Sequence, residues 1–174
     1  MTSAIYQELS ERAAAIYEKV VMWRRDFHRY PELAGHEART SGLVAAHLRA
    51  LGLEVTEHVG GFGVVGLLRG EAGNGPVIGF RADMDALPLQ EQTGFPYASE
   101  IPGVMHACGH DAHTAMLMGT AEVLSAMRTQ LRGTVKFIFQ PAEEGGGGAK
   151  AMIKDGVLEN PRVDILLGMH LLFN

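Results

Sequence analysis

Three short apolar runs in this chain each lead directly into acidic residues or a histidine. Their length and their content of Val, Ile, Leu and Phe favour buried strands over helices. The runs and the polar residues after them are 76–81 with Asp83 and Asp85, 134–140 with Glu143 and Glu144, and 163–169 with His170.

Helical periodicity separates these strands along the chain. Apolar residues recur at helical spacing in 5–27 and 37–51, and two further helices are predicted at 111–127 and 149–155. Two runs rich in Val and Leu, 53–58 and 63–68, flank a Gly-Gly pair and predict either a hairpin or two separate strands. Strands that alternate with helices predict an α/β domain with a largely parallel sheet and flanking helices. In such sheets ligands bind beyond the carboxyl ends of the strands, where the polar residues lie.

Composition excludes several classes of protein. The chain has 174 residues, 47% of them hydrophobic, which is enough for one domain with a core. The net charge of -5 argues against a nucleic-acid partner, and no apolar run approaches the ~20 residues that span a membrane. Residues 1–20 are interrupted by charges and predict no signal peptide, and the single cysteine excludes a disulfide within the chain. We therefore predict a cytoplasmic protein.

The segment Cys108-Gly109-His110 has the pattern of a metal site. In extended backbone the side chains at i and i+2 point the same way, so Cys108 and His110 can face one ion. A thiolate and an imidazole suit zinc, cobalt or manganese. The alternative is a loop with incidental histidines. The acidic pairs and His170 at neighbouring strand ends favour the metal site.

The adjacent carboxylates of Glu143 and Glu144 suggest two different roles at the site. Neighbouring side chains diverge, so one glutamate can bind metal while the other acts as a base towards water. A solvated turn is the alternative for this pair. His170 alone would more often be a buried core histidine, and Asp83 and Asp85 could simply cap a turn. No G-x-S-x-G and no P-loop motif occurs, so a serine hydrolase and a nucleotide-binding site are not supported.

Four motifs in this order resemble the M20 metallopeptidase family. The match is to its amidohydrolase branch, which includes hippurate hydrolases, N-acyl-amino-acid deacylases and indole-acetyl-amino-acid hydrolases. The resemblance extends from about residue 23 to residue 170. The motifs are R-A-D-M-D-A-L-P at 81–88, H-A-C-G-H-D-A-H at 106–113, F-Q-P-A-E-E-G-G-G-G at 139–148 and G-M-H at 168–170.

The resemblance implies an activity and a set of site residues. The reaction would be hydrolysis of the amide bond of an N-acyl amino acid to a carboxylic acid and a free amino acid. Two divalent metal ions, manganese, zinc or cobalt, would be bound. Their ligands would be Cys108, His110, Glu144 and His170. Glu143 would be the general base and Asp85 would orient a ligand. Asp83 stands where other branches have a metal-binding histidine, so we assign it no ligand role.

The resemblance also implies that more chain is needed. Family members are much longer, with a lid domain that commonly dimerises and a late histidine that supplies another ligand. Residues 1–174 would then be the N-terminal part of the catalytic domain, without the lid and the C-terminal part, and the full-length protein would be a homo-oligomer. The alternative function is a truncated or split-gene fragment that binds metal but is not catalytic alone. A structural metal module is a third reading, and a free carboxylate at Glu143 argues against it.

Overall fold

The computed structural model describes residues 2–172, in which five strands form one sheet with helices on both faces. A short 3-10 helix, Arg128–Gln130, precedes the fourth strand. The helices are α1 Thr2–Ala15, α2 Tyr17–Arg29, α3 Ala38–Ala50, α4 His110–Ala126 and α5 Gly148–Lys154, and the strands are β1 Glu54–Val59, β2 Gly63–Arg69, β3 Val77–Asp83, β4 Thr134–Gln140 and β5 Ile165–Gly168.

The strand order β1-β2-β4-β3-β5 makes the sheet mixed. β1 and β2 form an antiparallel hairpin, one of the two predicted arrangements, and β2 also runs antiparallel to β4. β3 lies between β4 and β5 and is parallel to both. The predicted α/β class is confirmed, and the parallel character holds for the three strands that lead into the polar residues.

The parallel register brings the ends of these three strands to one edge of the sheet. Asp83 is paired with Gln140, and Arg81 is paired with Gly168. The residues that follow β3, β4 and β5 therefore emerge side by side, as expected for parallel strands.

Apolar side chains of the central strands point alternately to the two faces of the sheet, and one hydrophobic cluster forms on each face. On β4, Val135, Phe137 and Phe139 pack with α2, α3 and α4, whereas Ile138 packs with Met152 of α5. Side chains two residues apart point to the same face of a strand, which explains the division. The larger cluster fixes α4, whose first turn carries His110, against the sheet.

Two sequence predictions need correction. The helix predicted over 5–27 is interrupted at Ile16, which has φ −102° and ψ 2°, outside the helical region, so that two helices replace one. Residues 163–169 were expected to form a buried strand, but all four residues of β5 are exposed. β5 pairs with β3 on one side only, which leaves Ile165, Leu166 and Leu167 each about half exposed.

Between residues 2 and 172, every helix is too short or too polar to cross a membrane.

Lys136 ties β4 to the segment after α5. Its side chain is buried, and its Nζ donates hydrogen bonds to the carbonyl oxygens of Val157, Glu159 and Pro161 at 2.9, 2.8 and 2.9 Å. A buried ammonium is tolerated only when its donors are satisfied, and three carbonyls satisfy this one.

We expect Lys136→Met to lower the free energy of unfolding by about 2 kcal/mol or more, because it leaves three carbonyls without their donor while keeping the aliphatic stem. Urea denaturation of the two chains measures the difference. Lys150→Met, at an exposed position on α5, is the control and should change stability little. Equal stability of the Lys136 and Lys150 variants would contradict the assigned role.

Candidate metal centre

Two groups of potential ligands meet at the edge of the sheet and share His110. Donor atoms of Cys108, His110 and His170 all lie within 4.8 Å of one another, and so do those of His110, Glu143 and Glu144. These residues come from the loop before α4, the start of α4, the turn after β4 and the end of β5. The structure thus brings together the residues that the sequence placed far apart.

His110 has the geometry expected of a metal ligand. Its Nδ1 donates to the backbone carbonyl of Asp85 at 2.8 Å, which leaves a lone pair on Nε2. The buried Nε2 has no hydrogen-bond partner among the described residues. This atom lies 3.6 Å from Asp83 Oδ2 and 3.9 Å from a carboxylate oxygen of each of Glu143 and Glu144. A buried nitrogen without a partner, surrounded by carboxylates, fits a bound cation.

Cys108 and His170 supply two further atoms that could bind a metal ion. The His170 Nδ1 donates to the Leu171 carbonyl at 2.8 Å, so that its Nε2 faces the Cys108 Sγ at 3.4 Å. Sulfur and nitrogen ligands of one tetrahedral ion, with bonds of about 2.3 and about 2.0 Å, lie about 3.5 Å apart. Gly109, with φ +82°, turns the chain between Cys108 and His110 in a left-handed conformation that suits glycine. The extended backbone from which the sequence predicted that these two side chains face one ion is therefore wrong, because His110 already begins α4. The observed separation therefore suits a shared ion.

The Asp85 carboxylate holds in place the turn after β4 that carries Glu143 and Glu144, called the acidic turn below. Its Oδ1 accepts from the Glu143 N–H at 3.0 Å and its Oδ2 from the Glu144 N–H at 2.9 Å. Oδ1 also lies 3.4 Å from the His110 Nδ1. Asp85 thus contacts both the histidine and the glutamate turn, while its own oxygens are used by backbone donors.

Asp83 and His113 belong to another pair, which the sequence did not reveal. The Leu171 N–H donates to His113 Nε2 at 2.9 Å, so His113 Nδ1 carries the proton and donates to Asp83 Oδ1 at 2.6 Å. Arg81 binds the other oxygen of Asp83. Donor atoms of Asp83, His110 and His113 also lie within 4.8 Å of one another, but both His113 nitrogens already have partners. The i, i+3 spacing of His110 and His113 on α4 places their rings near each other but gives no indication of the contact between His113 and Asp83.

Negative charge dominates the site. Burial and the nearby carboxylates, chiefly Glu144, raise the pKa of the Cys108 thiol to about 11. Burial alone would lower the pKa of His110, but the hydrogen bond to Asp85 and the charges of Asp83 and Asp85 outweigh it, so this pKa is raised. Burial would raise the pKa of Asp83, yet the hydrogen bond from His113 and the charge of His110 hold it low. The centre therefore has a surplus of carboxylates that a cation would neutralise.

Two other buried histidines of this region, His28 and His106, belong to none of the ligand groups found between residues 2 and 172. His28 Nδ1 contacts Asp111 Oδ2 at 2.7 Å and its Nε2 contacts Glu91 at 3.1 Å, which ties α2 to the first turn of α4 and to the loop before it. Burial lowers the pKa of His106 to about 4, so that this side chain stays neutral. In the sequence, only the resemblance to the M20 family separated these two histidines from the candidate ligands, because it assigns neither of them a ligand role.

Known sequences are similar to most of this chain. An IAA-amino acid hydrolase of Arabidopsis thaliana (ILR1-like 4) is 47% identical over 154 residues, which are 88% of this chain and 34% of that protein. The N-acyl-L-amino acid amidohydrolase of Geobacillus stearothermophilus is 43% identical over 166 residues, 95% of this chain and 44% of that protein. The chain therefore spans less than half the length of these relatives.

A solved structure and a family profile agree with these relatives. The YXEP protein of Bacillus subtilis, described as a dinuclear metal binding peptidase from the M20 family, superposes with a TM-score of 0.85 at 44% identity. The match covers 91% of this chain and 44% of that one. Residues 79–173, more than half of the chain, match the profile of peptidase family M20/M25/M40. The chain belongs to this family.

Proposed function

We propose that Cys108, His110, Glu144 and His170 hold divalent metal ions in an amidohydrolase that acts on N-acyl amino acids. The observation that carries the proposal is the His110 Nε2, which is buried, has no hydrogen-bond partner within residues 2–172 and belongs to both ligand groups. The donor set of thiolate, imidazole and carboxylate suits zinc, manganese or cobalt. The names of the two relatives support the substrate class, because both describe hydrolysis of an acylated amino acid.

Glu143 is the proposed general base. Divalent ions bound beside it would polarise an amide carbonyl and lower the pKa of a nearby water. The Glu143 side chain is 40% exposed, and its Oε2 lies 3.9 Å from the His110 Nε2. Its carboxylate is therefore open to solvent beside the ligands, where it takes a proton from the attacking water and returns it to the leaving amine.

Asp85 is the proposed orienting residue. It receives the Glu143 and Glu144 backbone N–H groups on its two oxygens and the His110 Nδ1–H on its backbone carbonyl. These contacts fix the direction of the ligand ring and of the acidic turn before any ion binds. Residues of this kind tune metal affinity although they do not bind the ion.

The openness of the centre favours catalysis over a structural metal site. A structural site is closed by four protein ligands, whereas His170 and Glu143 are both exposed here. The length of the relatives supports a further proposal: residues 1–174 form part of the catalytic domain, and a lid and a second part of that domain complete the site. The cytoplasmic location, the choice of metal and the homo-oligomeric state stay predictions.

Cys108→Ala should reduce the metal content of the purified chain, because it removes the thiolate that faces His170. Metal is measured by elemental analysis after equilibration with zinc or manganese. His36→Ala, which removes an exposed histidine outside both ligand groups, serves as the control and should retain full metal content. Equal stoichiometry in the parent, Cys108→Ala and His36→Ala chains would exclude Cys108 as a ligand.

Glu143→Gln, in a protein extended to the length of the relatives, should lower kcat about 10²–10⁴-fold and leave metal content unchanged, because a general base contributes a factor of this size. Hydrolysis of an N-acetyl amino acid, followed by release of the free amine, gives the rate. The exposed Glu71→Gln is the matched control. A near-normal rate in the Glu143 variant would rule it out as the base.

The 174-residue chain alone should bind metal, fail to hydrolyse N-acyl amino acids and self-associate through β5. The half-exposed leucines of β5 and its unpaired edge recruit other chains. Assays with manganese, cobalt or zinc test the activity, and size-exclusion chromatography of the parent and of Leu167→Lys tests the association. A monodisperse monomer that turns over at ordinary enzyme rates would refute this expectation.

A further inference from the structure

Glu37 is a buried carboxylate whose side chain contacts the turn that carries Glu143 and Glu144. It lies directly before α3 and has no exposed surface. Its Oε1 accepts a hydrogen bond from the Ala142 N–H at 2.8 Å, across 105 positions of sequence. Burying a carboxylate is costly unless it makes such bonds, so this contact needs an explanation beyond packing.

Ala142 has a backbone conformation that alanine seldom adopts. Its φ is +51°, in the left-handed region, where the Cβ atom makes close contacts. The Ala142 carbonyl accepts from the Gly148 N–H at 3.0 Å, and the N–H donates to Glu37. Both backbone polar groups of Ala142 are therefore bound, which holds the unfavourable conformation in place.

Three successive N–H groups of this turn donate to two buried carboxylates. Ala142 donates to Glu37, and Glu143 and Glu144 donate to the two oxygens of Asp85. Two buried carboxylates thus hold the backbone of residues 142–144. The directions in which the Glu143 and Glu144 side chains leave the turn follow from this arrangement.

A role as a helix cap does not account for Glu37. Its side chain makes no capping hydrogen bond to α3. Glu32 does so instead, since its two oxygens accept from the Arg39 and Thr40 N–H groups at 2.9 and 2.8 Å. The side chain of Glu37 is therefore used for Ala142.

We propose that Glu37 is a positioning residue of the metal centre: through the Ala142 N–H, it sets the turn that presents Glu143 and Glu144 to His110. The proposal rests on the proposed function, because Glu143 as the base and Glu144 as a ligand are parts of that function. Glu37 does not touch the ion or the substrate. It determines where the ligand and the base are placed.

Amide hydrogen exchange of the metal-free chain tests the turn itself. In Glu37→Ala the amides of residues 142–144 should exchange about tenfold faster or more, because the turn loses the bond that holds it. Glu37→Gln should exchange like the parent, since it keeps the Oε1 acceptor and Oε2 has no partner to lose among the described residues. Glu32→Ala is the matched control: it should speed exchange at residues 39 and 40 and leave residues 142–144 unchanged. Should Glu37→Ala fail to fold, Glu37→Asp, which draws the carboxylate away from Ala142, takes its place.

Titration with Co²⁺, followed by its visible absorption, tests the consequence for the metal. Glu37→Ala should bind Co²⁺ about 10–100-fold more weakly than the parent, the range typical of residues that orient ligands, with Glu37→Gln close to the parent. Unchanged exchange at 142–144 in Glu37→Ala, or equally fast exchange there in Glu32→Ala, overturns the proposal. So does Co²⁺ affinity that is equal in Glu37→Ala and the parent. A parent chain that binds no Co²⁺ contradicts the proposed function, while the exchange rates still decide whether Glu37 sets the turn.

Discussion

The parallel pairing of β3 with both β4 and β5 is the constraint on which the metal centre depends. The pairs Asp83 with Gln140 and Arg81 with Gly168 make three strands end at one edge of the sheet. Side chains separated by more than eighty residues, such as Asp85 and His170, reach one place for this reason. A shift of one residue in either pairing would turn the strand's side chains to the opposite face and disperse the site.

Hydrogen bonds then determine which histidine nitrogens of the site keep a lone pair for a metal ion. The backbone carbonyls of Asp85 and Leu171 bind one nitrogen each of His110 and His170, and leave the other nitrogen of each ring without a proton. Both nitrogens of His113 are occupied, by Asp83 and by the Leu171 N–H. The hydrogen bonds thus separate the two candidate ligands, His110 and His170, from His113, whose nitrogens are both used within the protein. The distinction is chemical, because a ring nitrogen can bind a metal only through a free lone pair.

The sequence predicted most of the fold because its apolar residues recur at clear helical spacing or form short runs typical of strands. The strand 134–140 and the helix 37–51 were placed within a residue of their observed bounds, and a hairpin was one of the two arrangements predicted around the Gly-Gly pair. The burial of β5 was predicted wrongly, since an apolar run shows that a strand can be buried but does not supply the element that covers it. The break between α1 and α2 at Ile16 was missed because no proline or glycine marks it in the sequence.

By itself the sequence determined the class of fold and, through four motifs in order, the membership of a metallopeptidase family, and the resemblance to that family supplied the candidate ligands. Only the tertiary structure decided that His113 pairs with Asp83 and that Asp85 and Glu37 together bind three consecutive amides of the acidic turn. These contacts join residues from 30 to 105 positions apart. No local pattern encodes them, since the packing of α3 and α4 against the sheet brings the partners together.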